Sequence, residues 1–128
     1  MSAKRVLSVG QCQPDHGRLS HILRQLFGAE VVAADDAAEA ERRLAEEIFD
    51  LVLVNRVFDS DGASGIQFIR EMKQEPGSTP VMLVSNHEEI QREAVSAGAV
   101  PGFGKAALGD SAMVERLRGI LGNGSDTA

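Results

Sequence analysis

The chain has 128 residues, of which 43% are hydrophobic and 25% are charged, which is enough for one domain with its own core. Its net charge of −6 argues against direct binding to nucleic acid or to an anionic membrane surface, because both need a basic face. Cys12 is the single cysteine, and the sequence has neither a signal-peptide pattern nor an apolar run as long as a membrane span, so we expect a cytoplasmic protein without a disulfide.

Short apolar runs alternate with amphipathic stretches from the start of the chain. Residues 6–9 predict a buried strand, and residues 15–28 predict a helix that ends at a glycine. A second strand is predicted at Glu30–Ala34. Asp36, followed three residues later by Glu39, resembles a capping box and predicts the start of a second helix. The apolar face of that helix is formed by Ala37, Ala40, Leu44 and Ile48.

The middle of the chain contains the most apolar strand. Residues 50–55 contain the run Leu51-Val52-Leu53-Val54, which is apolar on both faces, as a central parallel strand would be. A turn-rich loop over residues 58–65 follows, and then a third helix that stops before Pro76. Residues 79–85 predict a fourth strand.

The last part of the chain repeats the alternation with a weaker strand. Asn86 resembles an N-cap and predicts a fourth helix that ends at Gly98. Residues 99–104 predict a fifth strand that is broken by glycines. Asp110 predicts the cap of a last helix, which ends at Gly122.

Strict alternation of strands and helices with short loops predicts a parallel sheet covered by helices on both faces. Right-handed crossovers favour a flavodoxin-like, doubly wound (βα)5 three-layer α/β sandwich with the strand order 2-1-3-4-5. We expect one domain over residues 1–122 and a flexible tail over residues 123–128. Functional groups in such a sheet lie at the carboxyl ends of the strands. In this sequence those ends carry Gly10, Gln11, Cys12, Asn55, Ser85, Asn86 and Lys105.

Nearly the whole chain resembles the receiver domains of response regulators. The resemblance is carried by residues 49–55, by residues 79–85, and by Ala97-Gly98-Ala99 followed by Lys105. In that family, strand three ends in a phospho-accepting aspartate and strand one ends in an acidic pair that holds Mg²⁺. Strands four and five end in a hydroxyl residue and a lysine. The resemblance implies the same fold and a role in two-component signalling.

The chemical residues of the family are only partly present. Ser85 and Lys105 match the hydroxyl and lysine positions, whereas Asn55 stands at the phosphoacceptor position. Gly10 and Gln11 stand at the acidic pair, and shifting the alignment by one residue still supplies no acid. A side-chain amide cannot attack phosphorus as a carboxylate does, and Mg²⁺ is usually held by carboxylates.

The family's switch position has also changed. Gly102 stands where receivers have an aromatic residue that couples phosphate to the outer face, and Gly102 also suits a close backbone approach. We therefore expect a degenerate pseudo-receiver that is not phosphorylated. It would have no catalytic residue, no bound metal and no cofactor, and it would not be an enzyme.

We expect the chain to bind another signalling protein, such as a histidine kinase, a transcription factor or a regulator. In the family the usual contact surface is formed by the fourth helix, the fifth strand and the fifth helix, which is also a candidate homodimer surface. Here that surface includes Glu88, Gln91, Arg92, Val95, Pro101, Glu115 and Arg118. The alternative hypothesis is a small-molecule or anion sensor, in which Lys105, Ser85 and the amides around residues 10–11 bind the ligand.

Several other polar residues are interpreted as structural. Asn55 is expected to hydrogen-bond to Lys105 or to a loop backbone, and the alternative is that it mimics one fixed state of the switch. Cys12 is predicted to be a small buried hydrophobe and not a redox thiol. Asp59 and Asp61 fit a solvated turn better than a calcium loop. No metal-ligand spacing relates the three histidines, which are His16, His21 and His87.

Overall fold

The computed structural model describes residues 3–75 and 79–122, and within them four parallel strands form one sheet in the order β2-β1-β3-β4. The strands are β1 (Arg5–Val9), β2 (Glu30–Ala34), β3 (Leu51–Asn55) and β4 (Val81–Val84). The helices are α1 (Gln13–Phe27), α2 (Ala37–Glu46), α3 (Gly65–Met72), α4 (Glu88–Ser96) and α5 (Ser111–Leu121), with a 3-10 turn at Lys105–Ala107. This arrangement confirms the predicted flavodoxin-like α/β fold.

The sheet separates two hydrophobic layers because alternate strand side chains point to opposite faces. One layer packs Val6, Leu51 and Leu53 against α1 and α5. The other packs Val52 and Val54 against α2, α3 and α4. The four apolar residues of β3 are all fully buried, as expected for a central parallel strand with helices on both faces.

Three helix ends lie where the sequence predicts them. Gly28 ends α1 in the left-handed conformation with φ 64°. Asp36 caps α2 by accepting from the amide of Glu39 at 2.9 Å, and the Glu39 carboxylate accepts from the amide of Asp35 at 2.8 Å. Asp110 caps α5 by accepting from the amide of Ala112.

Two local predictions are wrong. Asn86 does not cap α4, which begins after His87, because the Asn86 side chain accepts a hydrogen bond from the amide of Ala106 at 3.0 Å. Ile48 does not belong to the buried face of α2, because the backbone becomes extended at Glu47 and the Ile48 side chain is 86% exposed.

The predicted fifth strand is also wrong as an element. Residues 99–104 run along the outer edge of β4, where Val100 donates to the carbonyl of Val81 at 2.9 Å. Farther along, the amide of Ser85 donates to the carbonyl of Phe103 at 3.0 Å. The segment therefore occupies the place of a fifth strand but makes only a single isolated bridge to β4 among the described residues.

Side chains interrupt the backbone pairing of this segment. Pro101 has no amide hydrogen to donate. The amide of Gly102 donates to the side chain of Gln91, and the carbonyl of Gly102 accepts from the guanidinium of Arg116. Both backbone groups of Gly102 are thus satisfied by helices α4 and α5, so they are not available to extend a ladder.

No helix in the described part of the chain is long and apolar enough to cross a bilayer. The predicted tail over residues 123–128 lies outside the described residues.

Candidate functional site

Parallel pairing brings the carboxyl ends of the strands to one edge of the sheet. Val54 is level with Val9 of β1, and Asn55 is level with Val84 of β4. The strand ends and the 3-10 turn surround a cavity of about 300 Å³. It is lined by Asn55, Arg56, Val57, Val84, Ser85, Asn86, His87 and Lys105. The structure thus brings together Asn55, Ser85 and Lys105, as the sequence indicated.

The side chain of Asn55 is bound to loop backbone. Its Nδ2 donates to the carbonyls of Gly10 at 3.0 Å and Val57 at 2.7 Å. Its Oδ1 accepts from the amide of Arg56 at 3.1 Å. Two of these contacts use the donors of an amide, which a carboxylate does not have. Asn55 therefore ties the loop after β3 to the loop after β1.

Gly10 stands at the first acidic-pair position, and its surroundings leave no room for a side chain. Its backbone is left-handed, with φ 75°, and its amide donates to the carbonyl of Ala34 at 2.8 Å. A Cβ atom at this position would overlap the ring of Phe58, which is 1% exposed. An aspartate at this position would therefore require both a strained backbone and the displacement of a core aromatic residue.

Gln11 stands at the second acidic-pair position and is 9% exposed. Neither its side-chain oxygen nor its nitrogen has a hydrogen-bond partner within residues 3–75 and 79–122. Its amide brings no negative charge to the edge of the sheet. Both acidic-pair positions are thus uncharged.

A carboxylate reaches the site from another position. The Oδ2 atom of Asp15, in the first turn of α1, lies 2.6 Å from the ammonium nitrogen of Lys105. Its other oxygen lies 2.5 Å from the guanidinium of Arg18. The hydrogen bond from Lys105 lowers the pKa of Asp15 from 3.8 to about 2, with further lowering by Arg18 and Cys12, although burial opposes the shift.

Sequence reasoning missed this role of Asp15, which was noted only as the beginning of a helix. A signal was present, because Asp15 is the only carboxylate between β1 and β2. Pro14 lies at the start of α1, where its fixed φ favours helix initiation and places Asp15 in the first turn. The pairing with Lys105 spans 90 positions of sequence, so no local spacing reveals it.

The residues present do not fit the Mg²⁺ site that the family resemblance implies. The three matching positions carry a glycine and two amides, and the nearby carboxylate of Asp15 is already bound by two cations. In the described residues, no group of three histidine, cysteine or acidic side chains is close enough to hold a metal ion. Hard divalent cations need carboxylate oxygens that are free to coordinate.

The position of the family's aromatic switch is closed by a polar side chain. The Nε2 atom of Gln91 in α4 donates to the carbonyls of Leu83 at 2.9 Å and Ser85 at 3.0 Å, while its Oε1 accepts from Gly102. A Cβ atom on Gly102 would overlap the carbonyl oxygen of Leu83. The backbone thus packs too closely here for any side chain.

The outer face beside this contact contains a groove of about 910 Å³ between α4, residues 99–104 and α5. We call it the α4–α5 face. Of the predicted contact residues, those that line it are Glu88, Gln91, Arg92, Val95 and Pro101. Glu115 and Arg118 lie outside the groove and form an ion pair with each other at 2.7 Å.

Of the remaining candidates, His87 lines the cavity beside Asn55, whereas the others are not part of its lining. Cys12 is half-buried at the N-cap of α1. Asp61 accepts from the amide of Ala63 at 3.0 Å in an exposed turn, as the solvated-turn interpretation predicts, and Asp59 is exposed in the same loop. Two of the histidines, His16 and His21, lie in α1, and His87 lies directly before α4.

Comparison with known proteins places these observations in a family. The family profile described as "Response regulator receiver domain" matches residues 15–118. A curated relative, the transcriptional activator protein ExaE of Pseudomonas putida, is 33% identical over 106 residues, which cover 80% of this chain and 48% of the relative. The chain thus spans about half the length of that relative.

Solved structures show the same architecture. A putative response regulator from Chloroflexus aurantiacus superimposes with a TM-score of 0.82 at 20% identity, covering 94% of this chain and 98% of the other. A response regulator from Thermotoga maritima superimposes with a TM-score of 0.76 at 26% identity, again covering 94% and 98%.

Proposed function

The chain belongs to the response regulator receiver domain family, and from that premise we propose that it is a pseudo-receiver: a receiver that binds another signalling protein without control by phosphorylation. We further propose that it works in the cytoplasm, that residues 1–122 act as one receiver-like domain, and that it is not an enzyme. The binding surface in this proposal is the α4–α5 face.

The observation that carries this proposal is the set of contacts that replaces the phosphorylation chemistry. Asn55 uses its amide donors to hold two loops, and Phe58 fills the space beside Gly10 where a metal-binding carboxylate would be needed. Lys105 is paired with Asp15. Each position that binds phosphate or metal in a phosphorylated receiver thus either makes an internal contact in this chain or lacks the required charge.

The contacts at the α4–α5 face support the proposal that this face binds a partner protein. In receivers the aromatic switch residue couples phosphorylation to the conformation of this face. Here the side chain of Gln91 instead links α4 to the end of β4 and to Gly102 by hydrogen bonds. A face held by such a network is preorganised, which lowers the entropic cost of binding. Val95, which is 43% exposed, lies in a groove with charged rim residues and suits a modest protein interface.

The partner we propose is a histidine kinase, a transcription factor or another regulator. The relative ExaE is a transcriptional activator, which favours a partner in transcriptional control. A homodimer through the same face is the alternative form of this interaction. We propose no direct contact with nucleic acid or membrane, consistent with the net charge of −6.

An affinity pull-down from source-cell lysate, analysed by mass spectrometry, tests the proposal. Recovery of one signalling protein should persist with Asn55→Ala and Lys105→Ala and should be lost with Arg92→Glu on the α4–α5 face. Arg24→Glu makes the same charge change on the exposed side of α1 and should have no effect. Loss of recovery with the Asn55 or Lys105 variants, but not with Arg92→Glu, would contradict the proposal.

The cavity beside Asn55 favours a second candidate function, an anion or small-molecule sensor. Its lining includes three basic side chains, Arg56, His87 and Lys105, together with the hydroxyl of Ser85. Against it, Lys105 is already neutralised by Asp15. A rise in melting temperature with phosphate, sulfate or a metabolite, abolished by Arg56→Ala, supports the sensor, because ligand binding stabilises the folded state.

A further inference from the structure

A second groove lies between α2 and α3, near the amino end of β4 and away from the strand ends that form the candidate site. Its volume is about 480 Å³, within the range of roughly 300–1,000 Å³ that is usual for ligand pockets. We call it the α2–α3 groove and define it by Glu41, Leu44, Phe68, Glu71, Met72 and Glu75.

Among the residues that the structure describes, the charged ones that line the α2–α3 groove are all acidic. They are Glu41 on α2, Glu71 on α3 and Glu75 just after α3, and all three are exposed. Within residues 3–75 and 79–122, none of the three carboxylates makes an ion pair; Glu71 accepts one hydrogen bond, from the amide of Gln67 at 3.0 Å. The groove therefore presents negative charge that the described chain does not neutralise.

Two cations close in sequence to the groove residues, Arg43 in α2 and Lys73 just after α3, have partners other than the three carboxylates. Arg43 lies 3.7 Å from Glu39 and 3.2 Å from Glu47, on another side of α2. The ammonium group of Lys73 donates to the carbonyl of Thr79 at 3.0 Å. Neither cation pairs with Glu41, Glu71 or Glu75, and the carbonyl that Lys73 contacts belongs to Thr79, which also lines the groove.

The floor of the groove is apolar. Leu44 and Met72 are partly buried and pack against the core layer that contains Phe68. A methionine in such a position adapts to different apolar partners because its side chain is flexible and polarizable. The groove thus combines an apolar floor with an acidic rim.

We propose that the α2–α3 groove binds a basic amphipathic segment of a partner protein. Apolar side chains of that segment would pack on Leu44 and Met72, while its lysine or arginine side chains would lie near the acidic rim. A metal ion is a poorer occupant, because no group of three potential ligands converges among the described residues. The proposal involves a different surface from the α4–α5 face, so either proposal can fail without the other.

The test is a titration of the ¹⁵N-labelled full chain, followed by NMR, with a synthetic helical peptide made of lysine and leucine. A peptide of the same pattern with glutamate in place of lysine is the matched control. We expect the lysine peptide alone to shift the amides of Leu44, Phe68 and Met72. The triple variant Glu41→Gln, Glu71→Gln and Glu75→Gln should weaken binding at least about tenfold.

A second triple variant separates local from overall charge. Asp59→Asn, Glu89→Gln and Glu93→Gln remove three exposed carboxylates that line neither groove and should leave the affinity unchanged. Equal weakening by both triple variants, shifts spread over the whole surface, or no binding by the lysine peptide would overturn the proposal. Should the first triple variant unfold, the single reversal Glu75→Lys, outside α3, gives the same comparison.

Discussion

Replacing Asp15 by asparagine tests whether the Asp15–Lys105 pair stabilises the fold. The pKa of Asp15 is lowered from 3.8 to about 2 by the contact with Lys105, and its side chain is 12% exposed. One pKa unit corresponds to about 1.4 kcal/mol, so the charged carboxylate contributes about 2 kcal/mol to the free energy of unfolding at neutral pH. Asp15→Asn keeps the size of the side chain and removes this charge.

The sign of the pH dependence follows from the lowered pKa. The stabilisation is present above pH 3.8, the ordinary value, and is lost as the pH falls towards about 2, where the folded protein binds the proton. The difference in unfolding free energy between the wild type and Asp15→Asn should therefore be about 2 kcal/mol at pH 7 and should disappear near pH 2.

Urea unfolding followed by circular dichroism measures this difference, since the chain has no tryptophan or tyrosine. Asp59→Asn removes an exposed carboxylate and serves as the control. The reasoning is refuted if Asp15→Asn has wild-type stability at pH 7, or if the difference between the two proteins stays constant down to pH 2.

Three further substitutions test separate contacts. Gly10→Asp should lower the free energy of unfolding by at least about 2 kcal/mol, since the position needs a positive φ and adjoins the Phe58 ring; unchanged stability in urea unfolding would refute this. Gln91→Leu should leave buried carbonyls unpaired and cost about 1–3 kcal/mol, with faster amide hydrogen exchange at Gly102; unchanged exchange there would count against the proposed role of Gln91. Asp110→Ala should cost about 1 kcal/mol by removing the cap of α5, and a thermal melt matching the wild type would contradict this.

The main elements of the fold could be predicted from the sequence because hydrophobic period and helix caps are local signals. The apolar run of β3 and the caps at Asp36 and Asp110 each depend on residues within a few positions of one another. The fifth strand could not be judged in this way. Its place beside β4 is occupied as predicted, but Gly102 bonds to side chains of α4 and α5, and those contacts arise only after the helices pack.

The site shows the same division between local and long-range information. The meeting of Asn55, Ser85 and Lys105 follows from the order of parallel strands, which the alternating pattern indicates. The pairing of Lys105 with Asp15 depends on how α1 packs beside the 3-10 turn, and the overlap at Gly10 depends on the ring of Phe58. Neither contact has a signature in residue spacing, because each joins elements that are distant in sequence.

The most direct test of the pseudo-receiver proposal is exposure of the protein to a small acyl-phosphate donor with Mg²⁺, followed by intact-mass measurement before and after hydroxylamine. A phosphorylatable receiver domain run alongside is the positive control, and Asn55→Asp supplies the missing nucleophile without the metal-binding acids. We predict no phosphoryl adduct on either the wild type or the variant. A hydroxylamine-sensitive phosphoryl adduct on the wild-type chain would contradict the proposal.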